Sequence, residues 1–167
     1  MPTWTLTYQG FNPEEEGLRE ALCVLGNGYF CTRGAAEWAD ADENIHYPGT
    51  YVAGGYNRLT TEIVGRPIEN EDLVNLPNWL CLTFRIEGGD WLDLAKVEVL
   101  SYRQELNVRE GVLVRTLRVR DGEGRETTIN SRRIVSMAKP HLAAIEMTIT
   151  PKNWSGPVEI RSALDGR

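Results

Sequence analysis

From residue 79 onward the sequence is a succession of short alternating stretches separated by turn residues, and this pattern constrains the chain to antiparallel β-structure. WLCLTFRI (79–86) sets Leu80, Leu82, Phe84 and Ile86 against Trp79, Cys81, Thr83 and Arg85. Gly88-Gly89-Asp90 turns the chain, and KVEVLSYRQEL and GVLVRTLRVRD then read as strands. Asp121-Gly122-Glu123-Gly124 predicts a hairpin turn into RETTINSRRIVSM. HLAAIEMTITP and GPVEIRSALDG predict two more strands, joined through residues 151–156. Several strands with a turn signal roughly every ten residues imply an antiparallel sandwich or barrel.

The first half is less regular. TWTLTY (3–8) alternates, with Trp4, Leu6 and Tyr8 on one face. Asn12-Pro13 followed by three glutamates predicts a short helix: Asn12 caps the free N–H groups, Pro13 presets the first helical φ, and the acids suit the positive end of the dipole. Gly26-Asn27-Gly28 predicts a tight turn into the strand YFCTRG, and is too short to cradle a phosphate. Residues 35–49 are polar and acidic without a period and read as a surface loop; residues 60–78 read as a second long loop.

Composition narrows the function classes. Among 167 residues, 24 acidic against 18 basic side chains give a net charge of −6, which disfavours a nucleic-acid partner. No apolar run approaches the ~20 residues of a membrane span, and no basic-then-apolar leader opens the sequence. Cys23, Cys31 and Cys81 are widely spaced and form no CxxC pair, which predicts free thiols in a reducing cytoplasm. His46 and His141 lie far apart, so no metal site is expected, and no cofactor motif occurs. The clustered carboxylates Glu14, Glu15, Glu16, Asp40, Asp42 and Glu43 read as solvated faces. Arg132 and Arg133 could grip an anion, but neighbours on a strand point to opposite faces. One of them then faces inward and requires a buried partner, which favours a structural ion pair. Trp38, in an otherwise polar loop, is the best candidate for stacking on a sugar ring, whereas Trp4 and Trp79 fit strand patterns. The residues alone identify no catalytic set.

The chain resembles the N-terminal domain of glycoside hydrolase family 65. The resemblance is carried by LREALCVLGNGYFCTRGAAE (18–37), YPGTYVAGGYNRL (47–59), LVNLPNWLCLTFRIEG (73–88), YRQELNVREGVLVR (102–115), RRIVSMAKPHLAAI (132–145) and RSALDGR (161–167). It implies a mainly β, antiparallel, supersandwich-like (galactose-mutarotase-like) fold with a short helix near the N-terminus. It also implies that residues 1–167 are part of that domain, with the catalytic (α/α)6 barrel outside it, and that Arg167 marks a truncation. The parent enzyme would be a phosphorylase or hydrolase of α-linked glucose disaccharides in carbohydrate metabolism, with its acid glutamate on the barrel. The expected partners are that barrel and further copies of the chain, with the two long loops as contact surfaces. The alternative expectation is a carbohydrate-binding module with Trp38, Tyr47, Tyr51 and Asn57 around a shallow groove.

Overall fold

The computed structural model describes residues 4–42 and 45–166; Glu43 and Arg167 lie outside them. The molecule is mainly β with one helix, in the chain order β1 (Thr5–Gln9), α1 (Pro13–Leu22), β2 (Leu25–Gly26), β3 (Phe30–Thr32), β4 (Thr50–Val52), β5 (Tyr56–Ile63), β6 (Arg66–Leu73), β7 (Leu82–Ile86), β8 (Glu98–Asn107), β9 (Val112–Arg120), β10 (Glu126–Val135), β11 (Ala143–Pro151) and β12 (Val158–Ser162). The largest sheet has five strands in the order β1-β8-β9-β10-β11, and every pairing in it is antiparallel. The pairs β12-β7 and β5-β6 and the triplet β2-β3-β4 form three smaller sheets.

Period-two patterning decides which face of the large sheet is covered. Tyr102 on β8, Leu117 and Val119 on β9, and Ile129 on β10 point inward and meet Phe84 and Ile86 of β7. A second apolar cluster joins Leu106, Leu113 and Val135 to Cys23 and Leu25 at the start of the β2-β3-β4 sheet. The outer face is polar, with Thr116 donating to Asn130 at 2.9 Å and Arg118 paired with Glu126. This is a sandwich whose second layer is narrow. Strand β7 brings Phe84 and Ile86 to the centre of the large sheet, while β12, paired with β7, is exposed along its whole length, and among the described residues no strand pairs with its outer edge.

Helix α1 starts where the sequence places it. Asn12 is extended and its side chain accepts from the Glu14 N–H at 3.2 Å, with Pro13 in the first turn. Its polarity is inverted. Glu16, Arg19 and Glu20 are buried, whereas Leu18 and Leu22 are 61% and 51% exposed.

Two sequence expectations are corrected. Residues 60–78 are not a loop: most of them belong to the β5–β6 hairpin, which runs in register from Tyr56↔Leu73 to Ile63↔Arg66. Its two-residue turn, Val64-Gly65, has positive φ at both positions, 51° and 72°. Such a turn follows the right-handed twist of the strands, but here a valine stands where Asn or Asp is usual, which hid the hairpin. Residues 35–49 are only partly a surface loop, because Ala35, Ala36, Glu37 and Trp38 are buried.

Candidate functional site

The segment that follows β3 is held by charge. Glu37 is buried beneath the large sheet and faces Arg115 of β9 and Arg133 of β10. Arg115 Nη1 lies 3.1 and 3.2 Å from its two carboxylate oxygens, and Arg133 Nη2 lies 2.5 Å from Oε1. Ser131 Oγ donates to Oε2 at 3.0 Å. The remaining guanidinium donors bind backbone: Arg133 reaches the carbonyls of Arg33 (3.0 Å) and Ala35 (2.5 Å), and Arg115 reaches that of Gly34 and the Gln104 side chain. Burial alone would raise the Glu37 carboxyl, but Arg133 and Arg115 outweigh it and hold the pKa at about 2. The inward arginine that the sequence requires is therefore Arg133, and its partner is Glu37. Arg132 points outward, exposed, 3.7 Å from Glu146.

This network can lock a backbone, but it cannot transfer a proton near neutral pH. Its acid stays ionised, its arginines stay cationic, and all three side chains are closed to solvent. The signal that could have found Glu37 was present in the sequence: it is the one acid among Ala35, Ala36 and Trp38.

Next to this lock, residues 38–42 and 45–48 lie against α1. Asp42 Oδ1 accepts from the N–H groups of Ile45 (2.5 Å) and His46 (3.2 Å). Glu20, buried on the helix, meets His46 Nδ1 at 2.8 Å and the Tyr47 N–H at 2.9 Å. Burial opposes the charge on His46, but the Glu20 hydrogen bond and carboxylate overcome it, so the imidazole pKa lies above its ordinary value. Two cavities flank this segment and share Ala41, Asp42, Ile45 and His46 as a wall. One, of about 550 Å³, has an apolar floor that includes Phe11, Trp38 and Leu92. The other, of about 640 Å³, is lined by Arg33, Tyr47 and Asn75 among others. Among the described residues neither is lined by a serine, threonine or cysteine. Among the described residues, no group of three or more His, Cys, Asp or Glu could hold a metal ion.

The four residues proposed around a sugar groove fall in three places. Trp38 is only 7% exposed and belongs to the main core, so it offers no open stacking face. Tyr47 is half exposed with the Arg33 guanidinium 5.3 Å from its ring centre, and Tyr51 shares a hydrogen bond with it. Burial and that hydrogen bond push the Tyr51 hydroxyl up to about 12. Asn57 lies on β5, in the exposed hairpin, paired with Asp72. The structure thus brings Tyr47 and Tyr51 together, adds Arg33 to them, and leaves Trp38 and Asn57 apart.

The family model "Glycosyl hydrolase family 65, N-terminal domain" matches residues 6–167. An "Uncharacterized glycosyl hydrolase" of Mycobacterium tuberculosis is 53% identical over 163 residues, which are 98% of this chain and 12% of that protein. The kojibiose phosphorylase of Caldanaerobacter subterraneus is 33% identical over 98% of this chain and 20% of its own length. Among solved structures, "Putative kojibiose phosphorylase from human microbiome" superposes with a TM-score of 0.78 at 22% identity, covering 88% of this chain and 20% of that one. The sandwich fold is therefore shared with it. The chain spans about an eighth to a fifth of the length of these curated relatives.

Proposed function

Since the chain belongs to the N-terminal domain family of glycosyl hydrolase family 65, we propose that it is the non-catalytic β-sandwich scaffold of a longer glycoside phosphorylase or hydrolase acting on α-linked glucose disaccharides. The observation that carries this reading is the inverted helix. Water selects helices that bury their apolar stripe, yet α1 buries Glu16, Arg19 and Glu20 and presents Leu18 and Leu22. An apolar surface of that kind marks a contact with more protein, and we assign it to the catalytic polypeptide. The names of the relatives, phosphorylases of kojibiose, trehalose and maltose, supply the substrate class. In this reading the Glu37 lock keeps residues 33–37 in one shape against that contact. The 167-residue chain itself turns over nothing. Incubating the purified chain with kojibiose, trehalose or maltose, with and without phosphate, should release neither glucose 1-phosphate nor glucose; release of either would overturn the scaffold role.

Self-association belongs to the same reading. The free edge of β12 and the apolar side chains around it, such as Ile160 and Leu164, favour joining of copies. The three free cysteines are compatible with a reducing cytoplasm. A second reading, weak sugar binding by a carbohydrate-binding module, is favoured by one feature, the exposed Tyr47 ring with Arg33 and Tyr51 beside it. Titration with maltose or trehalose, followed by tyrosine and tryptophan fluorescence, separates the two: no change at tens of millimolar excludes the binding module.

A further inference from the structure

Among the described residues the β5–β6 hairpin pairs with no other sheet, and it is exposed on both faces from Tyr56 to Leu73. Its faces differ. Cross-strand partners share a face, so one side carries Arg58 between Glu69 and Glu71, at 3.6 and 3.4 Å. The opposite side carries Leu59, Thr61, Ile63 and Ile68, with Arg66 at the tip end and Asp72 at the base. We propose that this second side is a self-complementary interface that docks face to face on the same hairpin of a second copy. The proposal rests on the self-association stated above and names its surface.

Successive rows on this face, from base to tip, are Asn57/Asp72, Leu59/Asn70, Thr61/Ile68 and Ile63/Arg66. A two-fold axis across the hairpin, midway between the second and third rows, turns the base of one copy onto the tip of the other. Strand β6 then lies over strand β6 of the partner subunit, and each Arg66 meets an Asp72 of the opposite copy. The two rows at the axis set Leu59 over Thr61 of the partner subunit and Ile68 over Asn70 of the partner subunit, so the four apolar side chains lie in the middle of the interface with the charges at its rim. Within one copy the two charges cannot meet, because six strand residues separate them by roughly 20 Å. Neither forms an ion pair among the described residues. The same operation brings the tip residue Val64 over the Tyr56/Leu73 row at the base of the opposite copy. Val64 is 97% exposed with φ at 51°, a conformation that a β-branched residue adopts only under constraint.

The test is the association of the 167-residue chain, by sedimentation equilibrium from micromolar to hundreds of micromolar. The wild type should dimerise. Arg66→Asp and Asp72→Arg should each raise the dissociation constant roughly tenfold or more, because each leaves two like-charge contacts per dimer. The double variant R66D/D72R should restore dimerisation, and L59S/I68S should abolish it, with unchanged far-UV circular dichroism throughout. A dimer insensitive to all these variants overturns the hairpin interface and leaves self-association to another surface such as the β12 edge. A wild type monomeric across the range overturns both.

Discussion

Glu37 is the residue on which most of the interior charge converges, and its behaviour can be stated with a sign. Its folded pKa of about 2 lies below the ordinary 4.5, so the carboxylate stabilises the fold fully above pH 4.5. That contribution, about 3 kcal/mol from the shift, is lost as pH falls toward 2. Glu37→Gln removes the charge while Arg115 and Arg133 stay buried. The variant should lose on the order of 3 kcal/mol at neutral pH, and its urea midpoint should vary less between pH 5 and pH 2 than that of the wild type. At this scale the sequence was half legible. Period-two patterning showed that one of Arg132 and Arg133 points inward, but not which, and the partner of Arg133 sits 96 positions away in a stretch whose acidity suggested solvent. The burial of Trp38 was illegible for the same reason: a side chain's neighbours in sequence do not report the sheet that closes over it.

At the scale of elements, strands with strong alternation and good turns were legible from residue 79 on, and so was the capped helix. The β5–β6 hairpin was not. Its strands mix charges with apolar residues on both faces, and its turn reads Val-Gly instead of Asn-Gly. The mismatch makes a prediction. Val64→Asn fits positive φ far better, so the variant should raise the local opening free energy of the hairpin by about 1 kcal/mol. Native-state amide exchange of the 56–73 strands, measured in dilute monomer, reads this directly, with the exchange of β8–β10 unchanged.

At the scale of the whole molecule, the layers are unequal. One polar-backed sheet of five strands is covered at its centre by β7, beside which β12 stays exposed, and an inverted helix adds exposed leucines. Leu18→Ser combined with Leu22→Ser should change the melting temperature little, since surface positions cost at most about 0.5 kcal/mol. It should lower binding of a hydrophobic dye and raise solubility; a large loss of stability would mean that these leucines pack within the chain itself. The family was legible because its resemblance is spread along the chain, but which faces await covering was not, since that depends on how the strands close. The Glu37 lock also sets an order of events in time. It joins residues 78 and 96 positions apart, so it closes only after the β9–β10 hairpin has formed and the N-terminal segment has searched back to it. Contacts made that late are absent at the folding barrier and govern escape from the native state. Glu37→Gln should therefore quicken unfolding and leave refolding nearly unchanged in stopped-flow measurements.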